Sequence, residues 1–132
     1  MKSAATHQTK KSMISIVDDE ACVRESLSSL TRSMGYDAAE YASAEDFLAL
    51  GWREQTACLL LDVRMPGMGG LELQRRLAET GCRIPIVFLS ARASEEEKRR
   101  ALRAGATDFL GKPVNEDALL RAIRAALGVP NH

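Results

Sequence analysis

The sequence predicts a doubly wound α/β domain, a parallel sheet with helices on both faces, and two observations support this fold class. Short apolar runs alternate five times with longer segments of helical periodicity, as is typical of a parallel sheet. Two of the runs, Cys58–Leu61 and Ile86–Leu89, are apolar throughout, which indicates strands that are covered on both faces. The length of 132 residues suits one ordinary domain. We therefore expect a flavodoxin-like (βα)5 fold with strand order 2-1-3-4-5.

The predicted strands are the five apolar runs. They cover Met13 to Val17, a weaker run from Ala38 to Tyr41, Cys58 to Leu61, Ile86 to Leu89, and Asp108 to Leu110. Polar residues follow four of the five runs. The exception is the second run, which we expect to be a weaker strand.

Helical periodicity and capping residues predict a helix after each strand. The first helix carries Val23, Leu27, Leu30 and Met34 on one face, and the last carries Leu119, Ala122, Ile123, Ala126 and Leu127. Gly35 is predicted to close the first helix. Ser43 with Asp46, and Ser94 with Glu97, have the spacing of capping boxes that begin the second and fourth helices.

Composition narrows the classes of function. Lys plus Arg and Asp plus Glu number 18 each, so the formal net charge is zero, which argues against direct nucleic-acid binding by this domain. The longest apolar stretch, Ala57 to Leu61, is too short to span a membrane. Residues 1–12 are polar, lack the apolar run of a secretory signal and are expected to be a disordered tail, so a cytoplasmic location is expected.

Polar residues are predicted to meet at one edge of the sheet. In an open parallel sheet, ligands bind beyond the carboxyl ends of the strands, where the strand order reverses. For order 2-1-3-4-5 this point lies between the first strand, which ends at Asp18–Asp19, and the third, which ends at Asp62. Ser90 ends the fourth strand and Lys112 follows the fifth. Each residue alone has an ordinary role as a cap or loop residue, but together they indicate a site.

The chemistry of this set favours phosphoryl transfer. Three neighbouring carboxylates repel one another, and a divalent cation relieves that repulsion. Oxygen ligands without His or Cys suit Mg²⁺ or Mn²⁺. Lys112 adds a second positive charge and the Ser90 hydroxyl can donate a hydrogen bond, which meets the electrostatic needs of a phosphoryl group.

Several motifs resemble the receiver domains of two-component response regulators. They are Val17–Glu20, Leu61–Leu73, Leu89–Ala91, Gly105–Leu110 and Lys112–Pro113. The resemblance covers roughly residues 13–128 in order, and the Asp62–Pro66 and Ala44–Leu48 segments are most similar to FixJ-type receivers. Residues 129–132 are then a C-terminal tail or the start of a linker. Ser90 stands where Thr is commoner, and Gly111 is smaller than usual for its position, which leaves the stiffness of the Lys112 loop open.

The resemblance implies a role for each site residue. Asp62 is implied to be the phosphoacceptor, and Asp18, Asp19, Asp62 and the backbone carbonyl of Arg64 to bind Mg²⁺. Lys112 is implied to contact the phosphoryl group, with an often cis bond to Pro113. Ser90 and Phe109 are implied to form the switch that responds to phosphorylation.

The resemblance also implies partners and an output. A sensor histidine kinase or a phosphotransfer protein would supply the phosphoryl group, and the fourth helix, fifth strand and fifth helix would carry the output. That face could form a phosphorylation-dependent homodimer. FixJ-type receivers usually precede a DNA-binding domain that regulates transcription, and no such domain is contained in this chain. A piece of a longer regulator and a stand-alone regulator acting by protein contact both stay open.

The competing enzyme class is a phosphatase with an aspartate nucleophile, similar to haloacid dehalogenases. Such enzymes need a second acid two residues after the nucleophile, and that position is Arg64. The sequence also lacks a large cap segment to enclose a substrate. We therefore expect a phosphoacceptor switch, limited in catalysis to its own phosphorylation from small donors and its own dephosphorylation.

Overall fold

The computed structural model describes residues 11–50 and 55–129 of the chain. Within these two ranges, five strands and five helices alternate. The strands are β1 (Met13–Val17), β2 (Asp37–Tyr41), β3 (Thr56–Asp62), β4 (Ile86–Ser90) and β5 (Asp108–Gly111). The helices are α1 (Ala21–Ser33), α2 (Ala44–Leu50), α3 (Gly70–Glu79), α4 (Glu95–Arg103) and α5 (Glu116–Ala126).

The five strands form one parallel sheet in the order β2-β1-β3-β4-β5, which confirms the predicted fold class and strand order. β1 lies between β2 and β3, so Val17 has Tyr41 on one side and Leu61 on the other. The residues that follow Val17 and Leu61 therefore emerge side by side at the carboxyl edge of the sheet.

Each face of the sheet packs against its own set of helices, as the uniformly apolar strands predicted. Leu59 and Leu61 of β3 point to the face covered by α2, α3 and α4, where Phe47 and Leu73 are buried. Cys58 and Leu60 point to the opposite face, covered by α1 and α5. The predicted apolar stripes of these two helices all belong to this second core, namely Val23, Leu27, Leu30, Met34, Leu119, Ala122, Ile123, Ala126 and Leu127.

The predicted helix ends are largely confirmed. Ser94 and Glu97 form a reciprocal capping box at the start of α4. At the start of α2, the Ser43 hydroxyl accepts a hydrogen bond of 3.0 Å from the Asp46 backbone amide. Gly35 follows α1 with φ of 98°, a left-handed conformation that glycine adopts without a steric penalty.

β2 and β3 are longer than their apolar runs. β2 begins at Asp37, whose amide donates to the Ser12 carbonyl at 3.0 Å. β3 begins at Thr56, whose hydroxyl shares a hydrogen bond of 2.7 Å with the buried Ser15 hydroxyl of β1. β3 also includes Asp62. Backbone pairing therefore extends the strands through polar residues, which apolar patterning does not detect.

Parts of two predictions fall outside the described residues. Most of the expected tail (1–10) lies there, as do residues 130–132 of the C-terminal segment. Among the described residues, no helix has both the length and the apolar character needed to cross a bilayer.

Candidate functional site

Two acidic residues follow β1 and begin the site. The Asp18 side chain is buried, and its Oδ1 accepts a hydrogen bond of 2.9 Å from the Glu20 amide, which turns the chain toward α1. The Asp18 amide donates to the Tyr41 carbonyl, so pairing with β2 continues one residue beyond β1. Asp19 is exposed. One acid therefore lines the base of the site and the other its rim.

Asp62 is the last residue of β3 and is also buried, at 6% exposure. Its Oδ1 accepts a hydrogen bond of 3.4 Å from the Arg64 amide. The start of α3 lies close behind it, because a Cβ placed on Gly70 would be only 2.3 Å from the Asp62 carbonyl oxygen. Glycine at this position thus allows the start of α3 to approach the end of β3 closely.

The three acids converge as the strand order predicted. One carboxylate oxygen from each of Asp18, Asp19 and Asp62 lies within 4.8 Å of the others. A set of three carboxylates fits a hard divalent cation, which prefers oxygen ligands. The backbone of Arg64, the fourth predicted contributor, is adjacent through its hydrogen bond to Asp62.

Lys112 points into this acidic cluster. Its Nζ lies 2.7 Å from Asp18 Oδ2 and 3.5 Å from Asp62 Oδ1. The Lys112 amide donates to the Ser90 carbonyl at 2.9 Å, and the peptide bond to Pro113 is cis, as the resemblance implied. The closer partner of the lysine is thus Asp18, a pairing that sequence patterning did not specify.

Burial and neighbouring charges change the pKa values of Asp62 and Lys112. Burial raises the pKa of Asp62 to about 6; the positive charge of Lys112 opposes this change and the negative charge of Asp18 adds to it. For Lys112, burial favours the neutral amine, but the hydrogen bond to Asp18 and the charge of Asp62 outweigh it and raise the pKa. Lys112 therefore stays charged, and Asp62 is mostly ionised at neutral pH.

Ser90 and Phe109, the two predicted switch residues, have different surroundings. The buried Ser90 ends β4 beside Gly111 of β5, and its hydroxyl accepts a hydrogen bond of 3.1 Å from the Arg92 amide. Phe109 lies beside Phe88 in the same strand pair, and the two rings stack with centroids 5.7 Å apart. Two strand positions thus separate the hydroxyl from the aromatic ring along the sheet.

Residue patterns did not predict the contacts of two arginine side chains beside the site, Arg24 and Arg64. The Arg64 guanidinium donates to Glu97 Oε1 at 2.7 Å and to the Arg92 carbonyl at 3.3 Å. Arg24 of α1 donates to the Asp18 carbonyl at 2.7 Å. These contacts join different elements, so the spacing of charges along one helix does not indicate them.

Comparison with known proteins identifies the family. The model of the response regulator receiver domain matches residues 14–124. Over 118 residues, the chain is 48% identical to the response regulator protein TodT of Pseudomonas putida, and the match covers 89% of this chain and 52% of TodT. It is 42% identical over 125 residues to the transcriptional regulatory protein TdiR of Thauera aromatica, covering 95% of this chain and 55% of TdiR.

The fold comparison agrees with the sequence comparison. The crystal structure of FixJ-N matches with a TM-score of 0.81 and 32% identity, covering 94% of this chain and 99% of that one. The resemblance to FixJ-type receivers is thereby confirmed. The chain spans about half the length of TodT and TdiR. Their match to this chain and the family match over residues 14–124 lead to one conclusion: the chain belongs to the response regulator receiver domain family of two-component systems.

Proposed function

We propose that this receiver domain is a phosphorylation switch in which Asp62 accepts a phosphoryl group in a Mg²⁺-dependent reaction. The observation that carries the proposal is the group of three carboxylates within 4.8 Å of one another, with Lys112 reaching two of them. A lone strand-end acid would have an ordinary structural explanation, but a buried acid cluster with an internal lysine matches the charge that a phosphoryl group requires.

The donor set suits one hard divalent cation. Asp18, Asp19, Asp62 and the backbone carbonyl of Arg64 would hold Mg²⁺, with Mn²⁺ as an alternative ion. When bound, the cation would neutralise carboxylate charge and the charge on phosphoryl oxygens. No ligand other than oxygen is needed for this role.

Asp62 is suited to be the nucleophile. One of its carboxylate oxygens would attack the phosphorus of a phosphohistidine, the phosphorus–nitrogen bond would break, and its electron pair would leave with the imidazole of the donor. With a pKa of about 6, the carboxylate is mostly ionised at neutral pH and available for attack. Lys112 Nζ, 3.5 Å from Asp62 Oδ1, would contact an oxygen of the new acyl phosphate.

The response to phosphorylation would begin at Ser90. Its hydroxyl oxygen now accepts from the Arg92 amide, and donating its proton to the phosphoryl group would draw Ser90 and the loop after it inward. Phe109, half-buried beside Phe88, would rotate into the space that is vacated. The face formed by α4, β5 and α5 would then change shape and carry the output.

The partner that supplies the phosphoryl group would be a sensor histidine kinase or a phosphotransfer protein. The output would be transcription regulation through a DNA-binding domain outside this chain, with homodimer formation through α4, β5 and α5 as one step. TdiR, a transcriptional regulatory protein by name, supports this direction because it matches over 95% of the chain. The domain itself would not bind nucleic acid, and it would act in the cytoplasm.

Intact-mass measurement after incubation with acetyl phosphate and Mg²⁺ tests the proposal. The wild-type protein should gain the mass of one phosphoryl group, and Asp62→Asn should gain none. Asp37→Asn, an exposed acid at the start of β2, is the matched control and should label normally. Asp19→Ala should abolish Mg²⁺-dependent labelling. Equal labelling of wild type and Asp62→Asn would refute Asp62 as the acceptor.

A further inference from the structure

Arg24 joins three elements behind the acidic cluster. It is the fourth residue of α1, and its side chain is only 17% exposed. Its Nη1 donates a hydrogen bond of 2.7 Å to the backbone carbonyl of Asp18, and its Nε lies 3.7 Å from Glu40 Oε1 on β2. A largely buried guanidinium with these two partners is placed to hold the loop between β1 and α1.

The carbonyl that Arg24 contacts belongs to the peptide group that links Asp18 to Asp19. Because a peptide group is planar, fixing its oxygen also fixes the direction of the following nitrogen and Cα. The hydrogen bond from Arg24 therefore sets the orientation of Asp19 relative to Asp18. Asp19 is exposed, so burial does not hold its backbone in place.

Other hydrogen bonds hold the amide and the carboxylate of Asp18, whereas Arg24 contacts the carbonyl of the peptide group between Asp18 and Asp19. The Asp18 amide is held by the Tyr41 carbonyl, and its carboxylate by the Glu20 amide and Lys112. The backbone amide of Arg24 donates to the Glu20 carbonyl, which starts α1. Arg24 thus contacts both ends of the short acidic loop, once through its backbone and once through its side chain.

We infer that Arg24 is a positioning residue for the divalent cation, one that holds the Asp18–Asp19 peptide so that both carboxylates face the same point. This inference rests on the cation binding of the proposed function. It assigns to Arg24 no contact with the cation or with a phosphoryl group. Groups that orient the ligands of a metal typically change its affinity about 10- to 100-fold when they are removed.

Simple electrostatics predicts the opposite effect. Arg24 is a positive charge near a cation site, so its removal should strengthen cation binding if charge alone matters. Removing the negative charge of Glu40 should then weaken it. Positioning predicts that loss of the Arg24 hydrogen bond weakens cation binding despite the loss of positive charge. The sign of the change therefore separates the two explanations.

Isothermal titration calorimetry with MgCl₂ provides the measurement, using the whole chain and the variants Arg24→Met, Arg24→Lys and Glu40→Gln. Arg24→Met keeps an apolar stem, and Arg24→Lys keeps the charge but loses the planar guanidinium. We expect Arg24→Met and Arg24→Lys to weaken Mg²⁺ binding by about tenfold or more. Glu40→Gln should change the affinity by less than Arg24→Lys does. Thermal unfolding without Mg²⁺ identifies a variant that fails to fold.

Three outcomes have distinct meanings. Unchanged or tighter Mg²⁺ binding by a folded Arg24→Lys variant would overturn the inference and leave the proposed function intact. A wild-type protein that binds no Mg²⁺ would refute the cation binding on which both rest. If Arg24→Met does not fold, Arg24→Lys decides, and acetyl phosphate labelling across MgCl₂ concentrations should show the same loss as a higher Mg²⁺ requirement.

Discussion

The Arg64 guanidinium donates a hydrogen bond of 2.7 Å to Glu97 and thereby joins the loop after β3 to the first turn of α4. The same Glu97 oxygen accepts from the Ser94 amide at 3.0 Å, which completes the capping box. The Ser94 hydrogen bond is the main reason that the pKa of Glu97 is lowered, and the charge of Arg64 adds to it. One carboxylate thus caps a helix and links it to the segment beside Asp62.

Glu97→Gln separates these two roles of Glu97. Glutamine can complete a capping box, but it carries no charge to pair with Arg64. Arg64 is exposed and Glu97 is half-buried, so solvent weakens the pair, and we expect Glu97→Gln to lower the free energy of unfolding by less than about 1 kcal/mol. Ser94→Ala removes the cap and should cost about 1 kcal/mol. Urea unfolding measures both, and a larger loss for Glu97→Gln would show that the ion pair dominates.

Lys112→Met should destabilise the protein strongly when divalent cations are absent. The buried Asp18 carboxylate would lose its 2.7 Å partner, and leaving a buried charge unpaired typically costs about 3–5 kcal/mol. Adding Asp18→Asn removes that charge, so the double variant should be more stable than Lys112→Met alone. Chemical unfolding in EDTA tests both. Equal stability of the single and double variants would contradict the dominance of the Lys112–Asp18 pair.

Without divalent cations, stability should decrease as the pH rises from about 4 to about 6. The pKa of Asp62 in the folded protein, about 6, lies above its ordinary value of 3.8 in an unfolded chain, so the folded protein binds more protons in this window. The stabilisation contributed by protonated Asp62 is complete when the pH is below the pKa of the unfolded chain. It is lost as the pH rises through the pKa of the folded protein. The difference of about two between these two pKa values corresponds to at most about 3 kcal/mol of unfolding free energy.

Asp62→Asn is the control for this pH dependence. The amide has nearly the same size as the carboxyl and does not ionise. In EDTA, the unfolding free energy of the Asp62→Asn variant should match that of wild type near pH 4 and exceed it above pH 7. If the two proteins keep a constant difference in unfolding free energy across that range, Asp62 does not titrate with a raised pKa.

Gly70→Ala should destabilise the fold and disturb the site. The added Cβ would lie 2.3 Å from the Asp62 carbonyl oxygen, so α3 or β3 must shift. Such overpacking typically costs about 1–3 kcal/mol. Gly111→Ala is the matched control, because its Cβ would meet nothing within 4 Å, and it should be neutral or stabilising by up to about 1 kcal/mol. Thermal unfolding that ranks the two variants in the opposite order would contradict this explanation.

The fold was predictable because its signals are local and repeated. Uniformly apolar runs mark strands covered on both faces, and the capping pair Ser94–Glu97 marks the start of α4. The first residues of β3 were missed because Thr56 is polar, yet it pairs with Met13 and shares a hydrogen bond with Ser15. Backbone pairing continues wherever a partner strand is available, whatever the side chain.

The convergence of the acidic residues was predictable, but the hydrogen bonds and ion pairs around them were not. Strand order alone brings Asp18, Asp19 and Asp62 to one edge, and the structure places them together. That Lys112 is closer to Asp18 than to Asp62 depends on the course of a loop. The contacts of Arg24 and Arg64 depend on the rotamers of long side chains, which residue spacing does not determine.

The contact between Lys112 and Asp18 joins residues 94 positions apart in the sequence. A contact of such long separation carries a large entropic cost for closing the intervening chain, which other structure must offset. The ion pair between Lys112 and Asp18 therefore requires that both the first and the last strand have joined the sheet. Under the proposed function, a partly folded domain would be unable to receive a signal, so competence to respond would itself report that folding is complete.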